Sequence, residues 1–199
     1  MSSMAATQTY HHENEPVFAP GRMAIWWFLA SEIMVFGGLI GSYLLYRWAS
    51  GGAWSEMGHH INSTIGAINT FVLLTSSLTM VLAHAAIEDE NRSRAKLFLG
   101  LTVALGLLFM VFKGFEYSGE IAKGYTPLAN TFWAFYYTMT GLHGLHVFVG
   151  IIANFVLWVM AVRGNLWPNV QHRVEYSGLY WHFVDVVWIF LFPLLYLSY

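Results

Sequence analysis

The chain has 199 residues, of which 57% are hydrophobic, 18% aromatic and 10% charged, with a mean hydropathy of +0.52 and a net charge of −2. Soluble domains carry about 25% charged residues, so this chain lacks the polar surface for water and belongs to the integral membrane class. The small net charge excludes nucleic acid as a partner. The lack of cysteine excludes disulfides, iron–sulfur clusters, thiolate zinc sites and cysteine nucleophiles.

Residues 1–22 form a polar tail with a single arginine and no short apolar core before a cleavage site, and read as a retained segment rather than a signal peptide. Five apolar runs follow, at 23–48, 64–87, 97–117, 131–162 and 174–197. Each supplies the ~20 helical residues needed to cross a hydrocarbon core about 30 Å thick. The links between them are too short to hold a soluble domain. The expected fold is therefore all-α, with residues 23–199 as one membrane bundle of five transmembrane helices.

The first run carries Glu32, a GxxxG pair at Gly37 and Gly41, and Trp26, Trp27 and Trp48 near its ends. The second has hydroxyls at Thr75, Ser76, Ser77 and Thr79, and His84 near its end. The third holds Lys113 and Glu116, placed by this span near its outer end. Trp133, Gly141, His143, Gly144 and His146 lie in the fourth, and His182 and Asp185 in the fifth, after a link containing Trp167. Small residues and hydroxyls can bring helices together, but generic membrane-helix composition accounts for them more simply. The tryptophans at Trp26, Trp27, Trp48, Trp133 and Trp167 are expected to anchor the interfaces.

Basic residues set the orientation. Arg22, Arg92, Arg94, Lys96, Arg163 and Arg173 fall on one side, against Arg47 and Lys123 on the other. This predicts a cytoplasmic amino terminus and, after five spans, an outside carboxyl terminus.

Glu32, His143, His146, His182 and Asp185 lie well inside the runs. Each would cost roughly 2.5–3.5 kcal/mol as a charge facing lipid, so each is expected to face the interior and find a partner. Counting about 1.5 Å of rise per residue from the nearest basic residue puts Glu32, His182 and Asp185 in one layer, about 14–18 Å deep. The same count puts His146 about 25 Å deep and His143 deeper. Residues three apart share a helix face, so His182 and Asp185 are expected to bond one another, and His143 and His146 to look the same way. Glu32 has no basic residue close in sequence. Its protonated form can donate a hydrogen bond and pass a proton on.

Catalytic readings fail on ligand count. A di-metal carboxylate centre needs two Glu-x-x-His motifs, and the chain has one, Glu56 to His59, in a link. A haem needs two histidines at matching depth, whereas His84, His146 and His182 are scattered. No catalytic residue and no metal ligand set is expected in the chain itself.

Four segments carry a specific likeness: "ASEIMVFGG" at 30–38, "FEYSG" at 115–119, "TGLHGLHVFVGI" at 140–151 and "GLYWHFVDVVWIFLF" at 178–192. In this order they resemble subunit III of the haem–copper terminal oxidases, in its five-helix bacterial form. The resemblance implies a non-catalytic subunit without haem or copper of its own, those groups residing in partner subunits. It implies lateral binding to subunit I, support of proton uptake, structural phospholipid, and protection of the oxidase during turnover. It also implies residence in the bacterial plasma membrane. Glu32 matches the family's membrane-buried, carbodiimide-sensitive glutamate, and His143, His146, His182, Asp185 and Glu116 match its polar framework. Lys113 departs from the pattern, standing where relatives carry glutamine or glutamate, and an ion pair with Glu116 near the outer interface is expected. The two amino-terminal helices that complete a lipid cleft in seven-helix members have no counterpart here. Two other readings stay open from the residues: a stand-alone proton-conducting protein, and a membrane haem protein. Cytochrome c and quinol both remain as electron donors.

Overall fold

The computed structural model describes residues 20–52, 54, 58, 61–164 and 170–197. The tail up to residue 19, Trp167, Glu56 and His59 lie outside them. The helices are α1 (Pro20–Ala49), α2 (Ser63–Glu88), α3 (Arg92–Ala122), α4 (Thr131–Val162) and α5 (Val170–Phe192). All five are long and apolar enough to cross a membrane. The fold is all-α among the described residues, as the apolar runs require.

Local chemistry sets the helix ends. Asn62, Asn91 and Asn130 each precede a helix, and their side chains accept from the amides of Thr64 and Ile65, of Arg94, and of Trp133 respectively. These bonds satisfy donors that the first helical turn leaves free. α4 closes on Gly164 at a φ of +74°, a left-handed conformation that glycine adopts without steric cost. α5 meets Pro193, which has no amide hydrogen to continue the ladder. The chain widens there into a π-helical turn, Pro193–Leu197.

Helices α2 to α5 form an antiparallel ring in which α2 packs on α3, α3 on α4, α4 on α5, and α5 back on α2. The interior is aromatic, with Trp181, Trp188, Tyr136, Tyr196 and Phe109 fully buried. Close approach depends on glycine where these rings lie. A Cβ on Gly150 would stand 2.6 Å from the Trp181 ring, and one on Gly66 would stand 2.7 Å from the Tyr196 ring. By contrast, Gly37 and Gly41 have nothing within 4 Å of such an atom. Among the described residues, the GxxxG pair makes no close helix contact.

α1 lies outside the ring, against α4 and α5. Its buried residues Leu29, Phe36 and Tyr43 recur every seven positions and form one narrow seam. Trp26, Trp27 and Trp48 are exposed, as interfacial anchors would be, but Trp133 is buried in the core. It stacks on Tyr125, ring centroids 4.7 Å apart. That correction has a simple cause: the link from α3 folds Tyr125 back over the start of α4 and covers the indole.

Candidate functional site

Among the described residues the predicted site side chains fall into two polar centres, with His143, His182 and Asp185 apart from both. The first centre joins α1 to α4. Glu32 Oε2 lies 2.9 Å from His146 Nε2, with both side chains mostly covered. His146 Nδ1 lies 2.8 Å from the carbonyl of Leu142. A carbonyl only accepts, so Nδ1 carries a hydrogen and Nε2 is the atom that faces the carboxyl. One proton shared between Nε2 and Oε2 makes this contact in either of two ways: as acid and imidazole, or as carboxylate and imidazolium. Both forms are neutral overall, which is what an apolar surrounding demands. Phe36 packs its ring edge against His146, and Tyr180 donates to the His146 carbonyl at 3.0 Å, so α5 also fixes the site.

The second centre is a closed network around Lys113 and Glu116 on α3. Lys113 Nζ donates to Glu116 Oε2 at 3.1 Å, to the Tyr136 hydroxyl at 3.3 Å, and to the Tyr196 hydroxyl. Tyr136 and Tyr196 in turn donate to Glu116 Oε1 at 2.6 and 2.5 Å. Every ammonium hydrogen and both carboxylate oxygens are thereby used. The rings of Tyr117, Tyr136, Trp188 and Tyr196 lie 5.1–5.2 Å from Nζ, within cation–π range. The widened turn after Pro193 is what carries Tyr196 inward. The expected ion pair therefore exists, but its side chains are 5% and 1% exposed and it lies inside the protein. The helix continues past the expected end at 117 to Ala122, which leaves Lys113 more than two turns from the terminus.

His143 and Asp185 stand apart. His143 is fully buried, stacked on Trp188 at 5.0 Å with Phe109 edge-on at 5.8 Å, and neither ring nitrogen has a hydrogen-bond partner. Asp185 is 3% exposed and neither oxygen has a partner. His182 does not bond Asp185 as the spacing suggested. Its Nδ1 lies 2.6 Å from Ser77 Oγ on α2. Rotation explains the difference: residues three apart are about 60° apart round the helix, enough for one to reach α2 and the other to turn inward.

The layering also needs correction. Glu32 meets His146, not His182 and Asp185. Arg22, Arg163 and Arg173 do not lie at one level. In the structure Arg22 meets Glu175 at 3.1 Å and Arg173 meets Met160 at 4.0 Å. Met160 is thus level with Arg173, and Arg163 lies a turn beyond, about 4.5 Å. The reach of the two side chains closes the remaining gap. His143 and His146 likewise part company, the first facing the core and the second facing α1. Of the second-run hydroxyls, Ser76 accepts from Trp181 Nε1 at 3.0 Å, Thr79 meets Thr102 at 2.8 Å, and Thr75 bonds its own helix at Phe71. Among the described residues no three His, Asp or Glu side chains converge as a metal site.

The family model for cytochrome c oxidase subunit III matches residues 2–198. The chain belongs to this family. It is 36% identical over 171 residues to cytochrome c oxidase subunit 3 of Thermostichus vulcanus, covering 85% of this chain and 83% of the relative. It is 37% identical over 172 residues to the Synechocystis protein of the same name, covering 85% and 72%. A probable cytochrome c oxidase subunit 3 of Mycobacterium tuberculosis is 31% identical over 195 residues, covering 98% and 95%. As a multi-pass member of the subunit III family, the chain brings together Glu32 with His146 and Lys113 with Glu116, and leaves His143 and Asp185 without hydrogen bonds. Tyr136 and Tyr196 were not marked by the sequence, whereas Ser77, one of the second-run hydroxyls, does bond across helices to His182. The only available signal for Tyr196 was Pro193, which marks a break in the last helix.

Proposed function

We propose that the chain is the accessory, cofactor-free subunit III of a proton-pumping haem–copper respiratory oxidase. Family membership makes it part of an oxidase complex with other subunits. Oxygen reduction takes place in subunit I, its main contact, where haem and copper reside. This chain supports proton uptake, holds phospholipid and stabilises the catalytic subunit. It lies in the bacterial plasma membrane with its amino terminus in the cytoplasm, as the distribution of arginine and lysine supports. The relatives' name, cytochrome c oxidase, favours cytochrome c over quinol as the donor.

The observation that carries this reading is the Glu32–His146 pair, 2.9 Å across the seam between α1 and α4. It is a carboxyl that binds a proton and holds a helix at once. In the intact oxidase, Glu32→Ala loses one interhelical hydrogen bond, about 0.6–1.7 kcal/mol of α1 association. It shortens the enzyme's lifetime during turnover but leaves oxygen reduction in place. Glu32→Gln keeps a donor toward Nε2 but has no proton to release, so it preserves the lifetime and slows proton uptake. Loss of the haem and copper spectrum in either variant refutes the accessory role.

A further inference from the structure

Five oxidisable rings run in continuous contact from the centre of the bundle to the link between α3 and α4. Centroid to centroid, Trp188 lies 6.0 Å from Tyr196, and Tyr196 lies 6.2 Å from Tyr136. Tyr136 is 5.3 Å from Trp133, and Trp133 is 4.7 Å from Tyr125. Each step is within the range of direct aromatic contact. The first four rings are fully buried, whereas Tyr125, in the link, is only partly buried. In a chain without cysteine, indole and phenol are the side chains that most readily give up a single electron.

The buried part of the row also holds the base that such chemistry needs. A phenol that loses an electron becomes strongly acidic, and in an apolar interior it must shed its proton in the same step. Tyr136 and Tyr196 both donate to Glu116 Oε1, at 2.6 and 2.5 Å, and a carboxylate oxygen can take that proton. Lys113 Nζ lies 5.1–5.2 Å from the rings of Tyr136, Trp188 and Tyr196. Its charge opposes a second positive charge on those rings. Oxidised Trp188 is thereby a stronger oxidant toward Tyr196, and the resting place of the lost electron is a neutral tyrosyl radical with its proton on Glu116. Tyr137 also touches Tyr136 and Trp133, at 5.1 and 6.2 Å. Its hydroxyl, however, donates to the Tyr125 carbonyl at 2.8 Å, which takes no proton. The outlet is therefore Tyr125.

We infer that these five rings form a radical conduit, which carries a one-electron oxidising equivalent from the interior of the bundle to a reductant in the water beside Tyr125. The oxidant is a peroxide-derived, partly reduced oxygen species, so the inference rests on the chain working in an oxygen-reducing complex. The steps balance. The oxidant takes an electron from Trp188, and Trp188 takes one from Tyr196 as the Tyr196 proton passes to Glu116. Tyr136 then reduces Tyr196 and gives its own proton to Glu116 as Tyr196 recovers the first. Trp133 reduces Tyr136, which regains its proton, and Tyr125 reduces Trp133 and releases its phenolic proton to water. A water-soluble one-electron donor of the ascorbate class, with a proton from water, restores the Tyr125 hydroxyl.

The test treats the intact oxidase with hydrogen peroxide and a nitroso spin trap, and locates adducts on this chain by peptide mass spectrometry. The expected result is an adduct at Tyr125 in the parent. In Trp133→Phe, which fills the same space with a ring that is not oxidised, that adduct is lost and oxidation accumulates on Tyr136 and Tyr196. Trp133→Tyr restores it. A cluster with a packing role alone responds alike to both replacements, so the difference between them reads conduction. Tyr125→Phe changes only the partly buried end and is expected to leave oxidation on Trp133. The inference is overturned if the parent carries no adduct at Tyr125, or if the adduct persists at the parent level in Trp133→Phe. Should the variants at position 133 fail to assemble, Tyr125→Phe decides, and an unoxidised Trp133 there overturns it. The haem and copper spectrum of each preparation reports separately on the oxidase assignment.

Discussion

Lys113 is the side chain whose surroundings matter most at the scale of single residues. An ammonium group inside a membrane bundle survives only with an opposite charge and all its donors used, and Glu116, Tyr136 and Tyr196 meet both conditions. Removing one partner leaves the other charged and uncompensated. Lys113→Met is accordingly expected to cost about 3–5 kcal/mol, the range for breaking a buried pair from one side. Lys113→Met combined with Glu116→Gln removes both charges and recovers most of that loss. Denaturation of the purified variants in detergent measures both, and a double variant no more stable than the single would show that the charges do not depend on each other. The sequence displayed this pair by spacing but not its burial. The run "SGEIA" after Tyr117 looks like the end of a helix. It stays helical to Ala122, with Glu120 turned inward and paired with Lys123 at 2.8 Å.

Among the helices, the contact that fixes α5 against α4 is Trp181 lying over Gly150, its indole also donating to Ser76 on α2. With Gly106 of α3 also against its ring, one tryptophan links all four ring helices, and the missing side chains at 106 and 150 admit it. Gly150→Ala would place a Cβ 2.6 Å from the ring, an overpacking expected to cost about 1–3 kcal/mol. Trp181→Phe in the same background should relieve the clash. Gly37→Ala is the control: with nothing within 4 Å, it should move the unfolding of the bundle by less than about 0.5 kcal/mol. Equal losses from the two glycines would remove the assignment of Trp181 as the wedge. All five helices were legible, because an apolar run of that length has no other stable form in lipid. The choice among glycines was not legible. A GxxxG spacing marks a smooth face on α1, whereas the isolated Gly150 and Gly66 become visible only once the opposing aromatic ring is known. Heights failed for a related reason: rise per residue is fixed, but the zero of each helix is set by neighbours distant in sequence, as Arg173 and Met160 show.

The molecule as a whole divides into a four-helix ring and a loosely attached α1. Only 11% of the apolar stretch of α1 is buried, against 33–50% for the other four helices. Lipid chains are as apolar as leucine, so a membrane helix gains nothing from hydrophobicity on docking, and its hold depends on packing and hydrogen bonds. For α1 these include the Leu29–Phe36–Tyr43 seam, the rings of Phe28 against Tyr180 and of Tyr46 against Phe135, the Glu32–His146 pair, the Tyr43 hydroxyl to Leu194 at 3.4 Å, and the exposed Arg22–Glu175 pair. An exposed ion pair adds little, about 0–1 kcal/mol. With fluorophores on α1 and α5, rising denaturant should therefore separate α1 before the ring loses its helix packing, giving two transitions. Phe36→Ala should shift the first to lower denaturant by about 3–5 kcal/mol equivalent at most and leave the second in place. A single transition shared by both probes would mean that α1 is integral to the core, and that the narrow seam holds it far more firmly than its buried surface accounts for.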